Sequence, residues 1–182
     1  MVLFRRCSPV LLLALFVPAV SWAGQDPLKD TLQGICNQTL TAMRSAKTTA
    51  EIRQIVNRID MPQSARIATD GQVTTVTAEQ TIHELEGQVT EPNKEIWKID
   101  VLWASRVHDE ATTVAWIYTK SNSADVEGVD SQKKGEKHPV LFGTIIRDRW
   151  IFTKDGWRRS SHEKFFPDRI LAIDGKDIVP PE

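Results

Sequence analysis

The 182-residue chain carries 23 lysines and arginines against 24 aspartates and glutamates, a net charge of -1 at pH 7. That balance excludes a general binder of nucleic acid or of an anionic membrane surface, either of which needs a basic surplus.

The N-terminus reads as a leader. Arg5 and Arg6 precede an apolar run from Val10 to Val20, and Ser21-Trp22-Ala23 supplies small residues at both key positions of a cleavage site. A signal peptide over residues 1–23 is therefore expected, cleaved to leave one domain over 24–182 in a secreted or periplasmic, bacterial-export location. The apolar run is shorter than the ~20 residues a membrane helix needs, and no later stretch comes closer, so no membrane association is expected after cleavage. Without the leader, 21 basic and 24 acidic residues remain over 159 positions, a charge of -3 that suits a single core. Cys36 is then the only cysteine, so no internal disulfide is available. It falls among helical apolar positions and reads as a small buried hydrophobe rather than a nucleophile.

Helices come next. Asp26-Pro27 opens the first, with a capping side chain before a proline at the first helical position. Leu28, Leu32, Ile35, Leu40 and Met43 recur at three- and four-residue steps to about Ala46. Thr48 and Glu51 form a capping box for a second helix whose Ile52, Ile55, Val56 and Ile59 share a face, ended by Met61-Pro62. Asp70-Gly71 is a turn, and Thr77 with Gln80 caps a short third helix ending near Gly87.

From Glu95 the period changes to two. Trp97, Ile99, Val101 and Trp103 predict one face of a half-buried strand, and Val114, Trp116 and Tyr118 repeat the pattern. Residues 121–138 read as a long exposed loop. Strands resume from about Val140 to Phe152 and from Trp157 to about Phe165, where Pro167 breaks the run. A short strand at Ile170–Ile173 precedes an Asp174-Gly175 turn. Three helices followed by four or five antiparallel strands predict an α+β domain, its sheet curved round the helices and leaving a concave space, the default ligand site.

The stretch 147–166, "RDRWIFTKDGWRRSSHEKFF", carries the densest chemistry. A three-residue loop at Lys154-Asp155-Gly156 pairs Thr153 with Trp157, Trp150 with Ser160 and Asp148 with His162. Asp148, Trp150 and His162 then share one face, and Arg147, Arg149, Trp157 and Arg159 the other.

An exported chain with amphipathic helices, long strands, the pattern "RDRW…DGWR…SSH" and a trailing "AIDGK" resembles the nuclear-transport-factor-2-like superfamily. Within it, the likeness is to a bacterial exported branch of unknown function close to the polyketide-cyclase-like (SnoaL-like) group, and covers roughly residues 28–175. The resemblance implies a cone-shaped, strongly curved antiparallel sheet packed on N-terminal helices, with a pocket at the wide end. It also implies isomerases, dehydratases and cyclases as well as binding and oligomerising modules, so that fold does not settle function.

Carried over residue by residue, the resemblance makes Asp148 and His162 the candidate acid/base pair, because a histidine beside a carboxylate can move protons near neutral pH. Trp150, Trp116, Tyr118 and Phe152 are the candidate ligand-binding wall. Asp148 also reads as a plain ion-pair partner of Arg147 or Arg149, and His162 as a hydrogen-bonded rim residue. Tyr118 is the only tyrosine available as an oxyanion donor and lies on a different strand. His83, His108 and His138 lack metal-ligand spacing, and there is no glycine-rich phosphate cradle or nucleophile-elbow serine, so no metal and no cofactor are expected.

The reading that follows is an exported domain binding a small, mostly apolar ligand in the cone. An isomerase or cyclase using Asp148 and His162 is the alternative, and a homodimer through the open sheet the weaker one.

Overall fold

The carboxylate of Asp26 accepts the backbone N–H groups of Leu28 at 3.1 Å and Lys29 at 3.4 Å, and Pro27 takes the next position, where no N–H is needed. This cap starts α1, Pro27–Ser45, in a computed structural model that describes residues 26–90, 94–125 and 137–178. The expected leader, 1–23, lies outside the described residues, as does most of the expected loop, at 126–136.

The capping box is made in full. Glu51 N–H donates to Thr48 Oγ1, and the Glu51 carboxylate accepts from Thr48 N–H at 3.0 Å and Lys47 N–H at 2.8 Å. α2, Thr49–Ile59, buries Ile52, Ile55, Val56 and Ile59. Gln80 accepts from Thr77 N–H at 2.8 Å and returns its own N–H to Thr77 Oγ1, starting α3, Ala78–Thr90, which runs three residues past Gly87.

Between α2 and α3 the sequence reading holds only a turn, whereas the chain forms a hairpin there. β1, Asp60–Ile67, and β2, Val73–Thr77, pair antiparallel around Asp70-Gly71. Pro62 does not break β1, because it falls before the β1–β2 ladder starts at Gln63 and within the register shift between Asp60 and Ala65 where β1 joins β6.

The remaining strands are β3, Lys94–Val107; β4, Glu110–Asp125; β5, Lys137–Thr153; β6, Gly156–Lys164; β7, Arg169–Ile173; and β8, Lys176–Asp177. Strand order is β2-β1-β6-β5-β4-β3, with β7 on β5 and β8 on β7. Among the described strands only β1–β6 is parallel. β5 is the spine, paired with β4 on one edge and with both β6 and β7 along the other. β3 ends the sheet, and α1 occupies its backbone there. Gln33 accepts Val101 N–H at 2.6 Å and donates to Ile99 O at 2.7 Å, while Arg44 donates to Ile96 O at 3.1 Å.

Two bulges in β3 change which face its aromatics occupy. Trp97 is the extra residue between Ile96 and Lys98, and Leu102 between Val101 and Trp103. Ile99 and Val101 keep the inner face, Ala104 takes the next inner place, and Trp97 and Trp103 stand out at 43% and 52% exposure. In β4 the inner face belongs to Ala111, Thr113 and Ala115, leaving Val114, Trp116 and Tyr118 outside. The result is a curved, mostly antiparallel α+β cone with helices on its concave face. One core cluster joins Leu32 and Ile59 to Trp150 and Trp157, and another packs α2 against Ile82. Among the described residues no helix is long and apolar enough to cross a membrane.

Candidate functional site

The β5–β6 hairpin turns one residue tighter than expected. Thr153 faces Gly156, whose φ of 106° only glycine adopts without strain, and Phe152 faces Trp157. Pairing continues to Trp150 opposite Arg159, and a bulge at Ser160 then restores Asp148 opposite His162. The expected pair therefore forms, but Trp157 and Arg159 join Asp148 and Trp150 on the inner face instead of the outer one.

Asp148 is 4% exposed, and its Oδ1 lies 2.7 Å from His162 Nδ1. Its Oδ2 lies 3.8 Å from Arg159 Nη1. Arg159 Nε donates to Asp60 Oδ1 at 2.7 Å, and Asp60, the C-cap of α2, is 5% exposed. Burial works against the charge of Arg159, but the Asp148 and Asp60 carboxylates outweigh it and hold the guanidinium above its ordinary range.

All four residues line a cavity of about 840 Å³ between the helices and the sheet. Its walls are largely apolar, from Leu40 and Met43 of α1, Ile55 and Ile59 of α2, and Ile99 and Ile117 of the sheet. The ion pairs Arg44–Glu95 at 2.7 Å and Arg66–Glu84 at 2.5 Å also line it, with more exposed side chains. Trp150 forms part of the wall, 2% exposed, with Nε1–H donating to Thr113 Oγ1 at 3.0 Å. Cys36 lines the cavity too. Burial pushes its thiol up to about 12, and the Asp148 carboxylate adds to the rise, so the sulfur is a protonated wall atom.

Trp116, Tyr118 and Phe152 do not line this cavity. Trp116 and Tyr118 pack edge to face at 6.0 Å on the outer face, and Phe152 lies beside Trp157, 47% exposed. The strand alternation that puts Ala115 and Ile117 inside puts the two β4 aromatics outside. Asp148 does not pair with Arg147, whose guanidinium goes to Glu163 at 2.5 Å, and Arg149 is exposed. Among the described residues no cluster of three or more His, Cys, Asp or Glu is arranged to hold a metal ion. Two members of the site, Arg159 and Asp60, were not legible. Arg159 depends on a bulge that no residue type at Ser160 announces, and Asp60 sits in a strand hidden behind Pro62.

No protein-family model matches the chain, and no curated protein sequence matches it. Solved structures do. A conserved protein from Planctomyces limnophilus is 12% identical, with a TM-score of 0.54 over 78% of this chain and 98% of its own. Aln2 from a Streptomyces species is 11% identical, with a TM-score of 0.54 over 78% of this chain and 93% of its own. An NTF2-like protein with a cystatin-like fold from Novosphingobium aromaticivorans is 11% identical, with a TM-score of 0.51 over 82% of this chain and 84% of its own. At such identities the likeness is one of fold alone. The protein has the nuclear-transport-factor-2-like fold.

Proposed function

We propose that the protein binds a small, mostly apolar molecule in the cone cavity, its body against the aliphatic walls and its polar group at the Asp148–His162–Arg159 cluster. The observation that carries this reading is the cavity itself: about 840 Å³, walled by aliphatic side chains, with its buried polar groups joined in one chain of contacts. Mass spectrometry of small molecules that co-purify with the protein is the test, repeated with Trp150→Ala and with Met43→Trp, which fills the cavity from α1. Loss of the same molecule from Met43→Trp supports the reading. Retention by both variants overturns it.

The 2.7 Å contact between Asp148 and His162 favours a second reading, proton transfer of the isomerase or cyclase kind. With Asp148 accepting from Nδ1–H, the neutral imidazole keeps a lone pair on Nε2 as a general base. If the bound molecule is turned over, His162→Gln lowers kcat by about 100-fold or more, the usual scale of a lost general base. Unchanged turnover removes this reading.

Export and self-association complete the proposal. Supporting export is the Arg5-Arg6 and Ser21-Trp22-Ala23 layout of the leader, and N-terminal sequencing of the secreted or periplasmic protein checks for a start at Gly24. Supporting a homodimer is the outer sheet face with Trp97 and Trp103 exposed.

A further inference from the structure

Arg159 invites an anion into the cavity, but its charge is already used twice. Asp60 takes its Nε at 2.7 Å, and Asp148 faces its Nη1 at 3.8 Å. Both carboxylates are buried and both line the same cavity. The remaining member, His162, spends Nδ1 on Asp148. Two carboxylates and one guanidinium leave this end at -1 when the imidazole is neutral and at zero when it is protonated. In neither state is it positive. The other ionic residues on the wall do not alter that sum locally: Arg44 is matched by Glu95, Arg66 by Glu84, and Lys120 is exposed, its ammonium held 4.2 Å from the centroid of the Trp97 ring.

Burying a carboxylate here would add an uncompensated negative charge where water is scarce, the most expensive arrangement a cavity can offer. A donor meets the opposite situation. Acceptors stand ready for it, namely the second oxygen of Asp60, Asp148, and Nε2 of a neutral His162, and a donor adds no negative charge to the cluster.

Resting on the reading that the cavity binds a small apolar ligand, we infer that the ligand's buried polar group is a hydrogen-bond donor, a hydroxyl or a protonated amine. The cavity discriminates against a carboxylate on the same apolar body.

Titration calorimetry at pH 7 with naphthalene, 2-naphthol, 2-naphthylmethylamine and 2-naphthoate separates the possibilities, since the four share one ring system. The naphthol and the ammonium bind, and the naphthoate binds about tenfold more weakly or worse, as expected for an unpaired buried charge. Asp148→Asn, which removes one negative charge at nearly constant shape, narrows that gap, and Asp60→Asn does so independently. Naphthoate binding as tightly as naphthol to the wild-type protein overturns the inference and leaves the cavity reading standing. A gap that survives in both folded variants overturns it as well, because the carboxylates would not be its source. Failure of all four probes, naphthalene included, to bind at millimolar concentration overturns the cavity reading and the inference with it.

Discussion

Arg159 holds Asp60 and Asp148 at unequal distances, 2.7 Å from Nε to one and 3.8 Å from Nη1 to the other. Asp60 stands where α2 ends and β1 begins, and Arg159 lies in β6, so the shorter link ties the helical layer to the sheet. Coulomb attraction and hydrogen bonding both favour that link. Asp60→Ala strips Arg159 of its close partner and is expected to cost about 3 kcal/mol, as breaking a buried pair does. Asp148→Asn leaves the Asp60–Arg159 pair intact and relieves an excess negative charge, so its cost is smaller. Urea denaturation of both variants gives the order, and Asp148→Asn as the more damaging one would contradict this reading.

Cys36 gives a prediction with a pH sign. Its thiol is raised from an ordinary 9.0 to about 12, chiefly by burial. The folded chain therefore favours the neutral form. This contribution is fully present below pH 9 and is lost as pH rises through the folded value near 12, because the unfolded chain ionises its thiol first. Iodoacetamide at about pH 8 is expected to leave Cys36 unmodified in the native protein and to label it rapidly in denaturant, read by intact mass. Cys36→Ala is expected to flatten the loss of stability between about pH 9 and 12 relative to wild type. Fast labelling of the native protein would mean that α1 opens from the sheet.

How much could be read before the structure follows from where each signal resides. Caps are local, and Asp26, Thr48 with Glu51, and Thr77 with Gln80 all start helices where they stand in the sequence. The pairing of Asp148 with His162 was also legible, though by two shifts that offset one another: a tighter turn at Thr153–Gly156 and a bulge at Ser160. Bulges are where sequence reading lost the site. One extra residue in β3 turned Trp103 outward, and one in β6 brought Arg159 in. Alternation alone also left open which face of β4 is inner, since Val114, Trp116 and Tyr118 are bulkier than the inner-facing Ala111, Thr113 and Ala115.

Thr113 supplies Trp150 of the cavity wall with a hydroxyl that a hydrophobic substitute cannot replace. It is fully buried and accepts from Trp150 Nε1–H at 3.0 Å. Thr113→Val keeps the volume and leaves the indole N–H buried without an acceptor, at a cost of about 1–3 kcal/mol. Thr113→Ser retains the acceptor and is expected to cost less. Equal losses in the two, by thermal or urea denaturation, would assign the effect to the missing methyl packing instead.

The outer face of the sheet carries the last prediction. Trp103 pairs with Val114, and Val114 with Arg147, in one row across β3, β4 and β5. The Arg147 guanidinium then lies 5.4 Å from the Phe165 ring centroid, extending the row past β6. Beside it, Tyr118 meets Trp97 at 6.3 Å and Trp116 at 6.0 Å, edge to face. Leu102 and Trp103 are each 52% exposed, and α1, α2 and α3 lie on the other face. Lys98 and Lys120 cover the Tyr118 and Trp97 rings at 5.6 and 4.2 Å, but Leu102 and Trp103 are costly to leave in water, and a second copy of the same face would cover them with like surface. Light scattering at micromolar concentration is expected to give twice the single-chain mass, and Trp103→Lys, which sets a charge among the exposed apolar side chains of that face, to return the protein to one chain without loss of fold. A wild-type protein that is already monomeric would refute the pairing, whereas a dimer indifferent to Trp103→Lys would move the contact elsewhere, since an unpaired lysine buried in the interface could not be tolerated there.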